Sequence, residues 1–250
     1  VTGFPPRSPV PPPELGPGEI HLWSVRLDPP TERVEDLGRV LSEDEWERAR
    51  RFRFDKHRRQ YVVGRGALRT LLAAYLGLRP EAVRFAYGPR GKPFLAPPLD
   101  SRGLQFNLSN SDELALAGFV LGRELGVDVE LLRQMNDCEE IAERFFSESE
   151  RKVLRTIPFP IKQEAFFNCW TRKEAYLKAV GEGLAAPLDS FDVTLALDEP
   201  PRMLTLKGDA DQAAKWFFHH LRPAESYIGA LAIEGVEGGT WEVKTWAFAP

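Results

Sequence analysis

Between Phe166 and Leu184 the apolar residues recur at helical spacing. Phe166, Trp170, Leu177 and Leu184 fall near one line, with Cys169 and Val180 beside it. Gly181 and Gly183 give a C-terminal stop, and Pro187 follows shortly after. Glu174 and Lys178 lie one turn apart along the edge of this stripe, whereas Lys173 falls inside it. A charge on a buried face needs a partner, so the helix is expected to border something anionic or wet. From Leu125 to Glu130 the period changes to two, with Val127 and Val129 alternating with Asp128 and Glu130. That is a half-buried strand carrying both carboxylates on one face.

The remaining chain alternates in the same way. Strands are predicted at Ile20–Leu27, Val83–Tyr87, Leu104–Leu108 and Leu114–Leu121, with helices from Ser42 to Phe52 and from Arg59 to Leu78. Beyond the Asp128 strand the order repeats. Ser147 and Glu150 form an S-x-x-E cap before Arg151–Arg155, as Ser42 and Glu45 do earlier. Lys162–Leu184 matches Arg59–Leu78, and strands follow at Phe191–Leu197, Met203–Lys207, Tyr227–Ile233 and Trp241–Phe248. The repeat implies an α+β chain of two similar α/β lobes, 19–123 and 124–250, behind a Pro-rich tail at 1–18. Clefts between such lobes favour ligands.

Composition narrows the class. With 43% hydrophobic and 28% charged residues, the chain reads as an ordinary globular protein of 250 residues. A net charge of -4 argues against general nucleic-acid binding. No apolar run reaches the ~20 residues of a membrane span, and the Pro-rich start lacks the pattern of a signal peptide. Cys138 and Cys169 make neither a disulfide framework nor a metal spacing. A cytoplasmic monomer without nucleic-acid or membrane partners is expected.

Charge is concentrated in one segment. Nine Lys or Arg stand between Arg48 and Arg69, against a single acidic residue, Asp55. An anionic ligand would relieve their repulsion, although a solvated helix face accounts for part of the run. Lys92 sits in the Gly/Pro-flanked turn PRGKP, and FNLSNS offers Ser109, Asn110 and Ser111 as polar donors at a strand end. Two carboxylates side by side on a strand repel unless a cation lies between them. Oxygen ligands on rigid elements suit Mg²⁺, with Glu174 as a third ligand or a base.

GVDVE followed by WTRKEAYLK resembles the paired signature of the 4'-phosphopantetheinyl transferases of the larger, surfactin-synthetase-activating type. SEDEWERARRF, RGKP, FNLSNS and RFFSESE extend the resemblance, in order, from about Leu41 to Leu184. It implies the two-lobed, pseudo-twofold fold and transfer of 4'-phosphopantetheine from coenzyme A to a serine of an acyl or peptidyl carrier protein. Asp128, Glu130 and Glu174 would then hold Mg²⁺, for which Mn²⁺ can substitute, and Lys178 would stabilise the transferring phosphate. Glu174 or Glu150 would accept the serine proton. Arg48, Lys92, Ser109, Asn110 and Lys178 fall on coenzyme-binding positions, with Arg58, Arg59 and Arg65 as candidates for the 3'-phosphate. Two other readings use the same residues: a Mg²⁺-dependent pyrophosphate hydrolase and a non-catalytic carrier-binding module. The carrier is expected to dock on Leu131–Phe146, steered by Arg133 and an exposed Met135.

Overall fold

The computed structural model describes residues 14–183, 187–235 and 240–249. The first thirteen residues of the Pro-rich segment, and Leu184, lie outside them. The first half runs β1 (Glu19–Arg26), α1 (Thr31–Gly38), α2 (Glu43–Arg50), α3 (Asp55–Leu76), β2 (Phe85–Tyr87), β3 (Pro93–Leu95), β4 (Leu104–Ser111) and β5 (Leu114–Leu121). The second runs β6 (Leu125–Leu131), α4 (Cys138–Phe145), α5 (Glu148–Thr156), α6 (Phe159–Val180), β7 (Phe191–Val193), β8 (Met203–Leu206), α7 (Ala210–Ala213), β9 (Trp216–Leu221) and β10 (Tyr227–Glu234). A last strand, β11 (Glu242–Phe248), returns to the first half and pairs in parallel with β1.

Two sheets result, ordered β11-β1-β5-β4 and β6-β10-β9. Strict alternation along the strands gives each sheet two apolar faces. Ile20, Leu22, Leu116, Val127 and Leu231 meet in a core between the sheets. Trp23, Val25, Ala117 and Phe119 turn the other way and pack under α3, while Ile228, Ala230 and Ala232 pack under α6.

The two long helices, both of 22 residues and both ended by a glycine in the left-handed region, are anchored by one repeated device. Glu45 and Glu150 close capping boxes, accepting 2.9 Å bonds from the backbone N–H of Ser42 and Ser147. Each then turns its carboxylate onto a buried cation. Glu45 accepts from Arg65 Nε at 2.5 Å and Arg69 Nε at 2.6 Å. Glu150 Oε1 lies 2.8 Å from Lys173 Nζ and accepts the Val193 N–H at 2.8 Å. Arg69 and Lys173 hold the same position in their helices. Each continues into the carbonyls of the next short turn, Pro80 and Val83 in one case, Leu188 and Phe191 in the other. This accounts for Lys173, whose anionic neighbour is internal. It also corrects the assignment of Glu150 as a base. Glu150 is 2% exposed, and both its oxygens are taken by the fold.

Other differences from expectation are local. The third helix begins at Asp55, four residues before Arg59, because its first turn is charged and carries no apolar period. Helices α1 and α4 and strand β9 escaped the pattern; α1 offers only Val34 and Leu37 as apolar anchors. Met135 is half-buried against the second core, which corrects its expected exposure.

Glu45 supplies a pH test. Burial alone would raise its carboxyl, but the Arg69 bond and the Arg65 charge outweigh burial and hold it below the ordinary value. A depressed folded pKa contributes stability above the unfolded pKa, and that stability is lost as pH falls through the folded one. Glu45→Gln is therefore expected to cost about 3–5 kcal/mol near neutral pH, by stranding two buried cations. In urea titrations the gap to the parent should narrow as the solution is acidified below the carboxylate range. A constant gap would show that the charge of Glu45 is not what holds the helix.

Candidate functional site

The site forms where the edges of the two sheets meet. β4 presents Asn107, Ser109 and Ser111 at period two, and each side chain reaches β6. Asn107 Oδ1 accepts from the Val127 N–H at 2.9 Å, Ser109 Oγ donates to Asp128 Oδ1 at 2.9 Å, and Ser111 Oγ donates to Glu130 Oε2 at 2.7 Å. Ser111 Oγ also accepts the Leu131 N–H at 3.1 Å. A side-chain zipper thus stands in for the backbone ladder that these two strands lack.

On its other side β6 lies against α6 with almost nothing between them. A β-carbon added at Gly126 would fall 1.9 Å from the Ala175 carbonyl oxygen and 2.4 Å from the Ala179 nitrogen. Two residues along the same face, Asp128 is thereby brought to the last turns of α6. Lys178 Nζ donates to Asp128 Oδ1 at 2.5 Å and to Ser109 Oγ at 2.7 Å. Among the described residues, the second oxygen of the buried Asp128, Oδ2, has no hydrogen-bond partner, and neither has Glu174 Oε1. Burial first, and then the charge of Asp128, raises the carboxyl of Glu174. Glu130 is raised chiefly by burial, against the Ser111 bond.

These three carboxylates bring hard oxygen donors of the kind a divalent cation takes. The two orphaned oxygens, on a strand and a helix packed backbone to backbone, show that the residues fit one. Among the described residues no group of three or more His, Cys, Asp or Glu is gathered as a ready-made cage. Mg²⁺ typically takes one or two carboxylates and completes its shell with water and substrate phosphate.

Two cavities flank the site and share Asn110 and Glu130. The smaller, about 520 Å³, holds Ser109, Asp128, Glu174 and Lys178, with Trp170 and Phe145 as its apolar wall. The larger, about 730 Å³, is lined by Arg48, Arg65, His57 and Arg133 and by the aromatics Phe52, Tyr61 and Tyr87. Arg48 is exposed, 5.6 Å from the Tyr61 ring centre. Arg65 is held by Glu45 and donates to the Tyr87 hydroxyl at 2.7 Å.

The sequence-predicted residues therefore divide. Asp128, Glu130, Glu174, Lys178, Ser109 and Asn110 come together, with Arg48 and Arg65 in the adjoining cavity. Arg58 is exposed, paired with Asp55, and lines neither cavity. Half-buried Arg59 lines neither. Lys92 is turned away, to Glu124 Oε2 at 2.5 Å and the Ala179 carbonyl at 2.8 Å, and lines a separate hollow. Ser111, read in the sequence only as a polar donor, and Asn107, which was missed, both hold β6, and Gly126 was missed as well. The period of two from Asn107 to Ser111 was the available signal for the first two, and none marked Gly126.

Comparison with known proteins bears on this geometry. A family model described as the 4'-phosphopantetheinyl transferase superfamily matches residues 124–232, and one for the N-terminal region of 4'-phosphopantetheinyl transferases matches 26–119. The chain is 42% identical over 230 residues to the 4'-phosphopantetheinyl transferase HetI of Nostoc sp., covering 92% of each chain. It is 31% identical over 234 residues to a phosphopantetheinyl transferase of Thraustochytrium sp., covering 87% of this chain and 80% of that one. With the 4'-phosphopantetheinyl transferase Sfp of Bacillus subtilis it shares 28% over 181 residues, 72% of this chain and 78% of the other.

The strand–helix contact carries its own test. At Gly126 even a methyl group meets backbone atoms that cannot rotate away. Gly126→Ala is expected to destabilise the fold by about 3 kcal/mol or more, read as a lowered urea midpoint. A midpoint equal to the parent's would mean that β6 and α6 lie further apart, and that Asp128 is positioned by other contacts.

Proposed function

We infer the chemistry of the cleft from one premise: the chain belongs to the 4'-phosphopantetheinyl transferase superfamily. It is an enzyme that moves the 4'-phosphopantetheine group of coenzyme A onto a serine of a carrier protein, turning the apo form into the holo form and releasing 3',5'-ADP. The larger cavity, with Arg48, Arg65 and Asn110, takes the nucleotide and its 3'-phosphate. The smaller takes the reacting pyrophosphate. What supports this reading is one observation: Asp128 and Glu174, each with an oxygen that has no partner among the described residues, line a single cavity with the Lys178 ammonium.

Asp128 and Glu174, with Glu130 beside them, would hold Mg²⁺ or Mn²⁺. When bound, the ion shields pyrophosphate charge and so eases attack by an oxygen nucleophile. Lys178 supplies positive charge to the transferring phosphoryl group. Ser109, bonded to both Lys178 and Asp128, keeps that ammonium beside the carboxylate until substrate arrives. Glu174 takes the serine proton. Its Oε1 has no partner among the described residues, and the residue lines the cavity that also holds Lys178 and Asp128. Arg133 and Arg144, on the rims of the larger and smaller cavities, face an incoming acyl or peptidyl carrier protein.

The lobes are taken as 19–123 and 124–250, and the pairing of β11 with β1 ties the end of the second to the sheet of the first. Each lobe supplies one side of the cleft, so one chain suffices and a monomer is the working unit. Cytoplasmic placement goes with Cys138 and Cys169, both free thiols. Among the described residues no helix is long and apolar enough to cross a membrane.

Intact mass of an apo carrier protein incubated with the enzyme, coenzyme A and Mg²⁺ should rise by one phosphopantetheine group. Coenzyme cleavage without a labelled acceptor would mark a hydrolase instead. Asp128→Ala and Glu174→Ala are each expected to lower turnover on the order of 10²-fold or more with the fold retained, and a chelator should abolish activity reversibly. Near-parental rates in both variants would remove these carboxylates from the mechanism. Dephospho-coenzyme A should bind more weakly than coenzyme A by roughly 1.5–3 kcal/mol, and Arg48→Ala should erase much of that preference. Equal affinity for the two coenzymes in the parent would give the arginines another role.

A further inference from the structure

The hairpin of β2 and β3 has two sides that face different parts of the mechanism. Tyr87, Gly91 and Pro93 border the larger cavity, and Tyr87 receives the Arg65 bond there. The tip between them is tightly wound. Gly88 donates its N–H to the Lys92 carbonyl at 2.9 Å, Gly91 donates to the Gly88 carbonyl at 2.9 Å, and Gly91 sits at φ 81. From this rigid tip two cations cross to the other half of the chain and meet the end of α6. Lys92 Nζ donates to the Ala179 carbonyl at 2.8 Å and to Glu124 Oε2, while Arg90 Nη1 donates to the Glu182 carbonyl at 2.8 Å.

The C-terminal end of a helix carries carbonyls without intrahelical partners and a partial negative charge, so cations there stabilise its last turn. Glu174 and Lys178 stand on the last two turns of α6. Lys178 is the immediate neighbour of Ala179, whose carbonyl Lys92 holds. The stem of Lys92 also lies against the cap, its Cδ 3.4 Å from where a Gly181 β-carbon would be. Lys92 is only 18% exposed.

We propose that Lys92, assisted by Arg90, is a positioning residue that clasps the end of α6 to the coenzyme-cavity hairpin and so sets Glu174 and Lys178 against the bound substrate. This rests on the catalytic reading of Glu174 and Lys178 above. The clasp accounts for a lysine beside the coenzyme cavity whose ammonium is spent on a helix end and not on the cavity. It also links occupation of one half to alignment of the other, because the same short hairpin touches both.

The test uses the full-length enzyme with Lys92→Ala, Lys92→Arg and the exposed Arg90→Ala. In hydrogen exchange, amides from Glu174 to Gly183 should exchange roughly tenfold faster in Lys92→Ala, those of α3 should not change, and Lys92→Arg should restore the parental rate. This arm is independent of catalysis. Unchanged exchange in both Lys92→Ala and Arg90→Ala overturns the clasp. In kinetics, Lys92→Ala should lower kcat about tenfold while the KM for coenzyme A and its preference over dephospho-coenzyme A stay within about twofold. A raised coenzyme KM with loss of that preference would make Lys92 a direct phosphate ligand and overturn the proposal. Faster exchange with unchanged kcat would keep the clasp but remove its catalytic consequence, and so count against the roles given to Glu174 and Lys178. If Lys92→Ala does not fold, Arg90→Ala is read by the same two measurements.

Discussion

A carboxylate buried with its cation is costly to form and more costly to break, and this protein uses that constraint twice. Glu45 with Arg65 and Arg69, and Glu150 with Lys173, tie the start of a short helix to the middle of a long one. Neither group can leave without stranding the other in the interior. The same cations then hold the carbonyls of the following turn, so a single bracket orders three successive segments in each half. The brackets differ in strength. Two arginines hold the Glu45 carboxyl below its ordinary value, whereas burial outweighs the single Lys173 and raises that of Glu150. The second of these brackets anchors the middle of α6, the helix that carries Glu174 and Lys178.

The catalytic edge depends on that rigidity because its own contacts are few. Asp128 is gripped through one oxygen by Ser109 and Lys178, and its other oxygen has no partner among the described residues. A buried, unsatisfied carboxylate oxygen is unfavourable by itself, and it persists only where the surroundings prevent relaxation. The zipper from β4 and the close approach at Gly126 provide that restraint from opposite sides. A site held this way is preorganised for charge that the substrate brings, which is where electrostatic catalysis is strongest.

Much of this was legible in the chain. The period-two run around Asp128 and the helical stripe from Phe166 gave the two elements that meet at the site, and the repeated S-x-x-E gave the two-half plan. Charge was harder to read. Arg69 and Lys173 look, in sequence, like cations awaiting an anionic ligand, because a partner 20 or more residues away leaves no local trace. Glu150 looked like a base for the same reason. Lys92 was misread because a turn shows which residue is presented but not in which direction. Gly126 is silent in sequence, since a glycine in a strand does not announce the helix backbone that lies on it.

The repeat also shows how the two halves come to differ at these strands. At the spacing that relates Ser42 to Ser147 and Glu45 to Glu150, His21, Trp23 and Val25 stand where Gly126, Asp128 and Glu130 do. In the first half those places are filled. The Trp23 indole donates to the Tyr75 hydroxyl at 2.9 Å, His21 Nδ1 meets the same hydroxyl at 2.8 Å, and β1 is covered on both edges, by β5 and by the returning β11. In the second half Gly126 removes the bulk that would separate strand from helix. β6 is the edge of its sheet, paired by backbone to β10 alone. Its free edge meets the side chains of β4, and the carboxylates on its helix-facing side border two cavities. One scaffold thus yields a closed aromatic core where its strand is central and an open carboxylate site where its strand is at the edge.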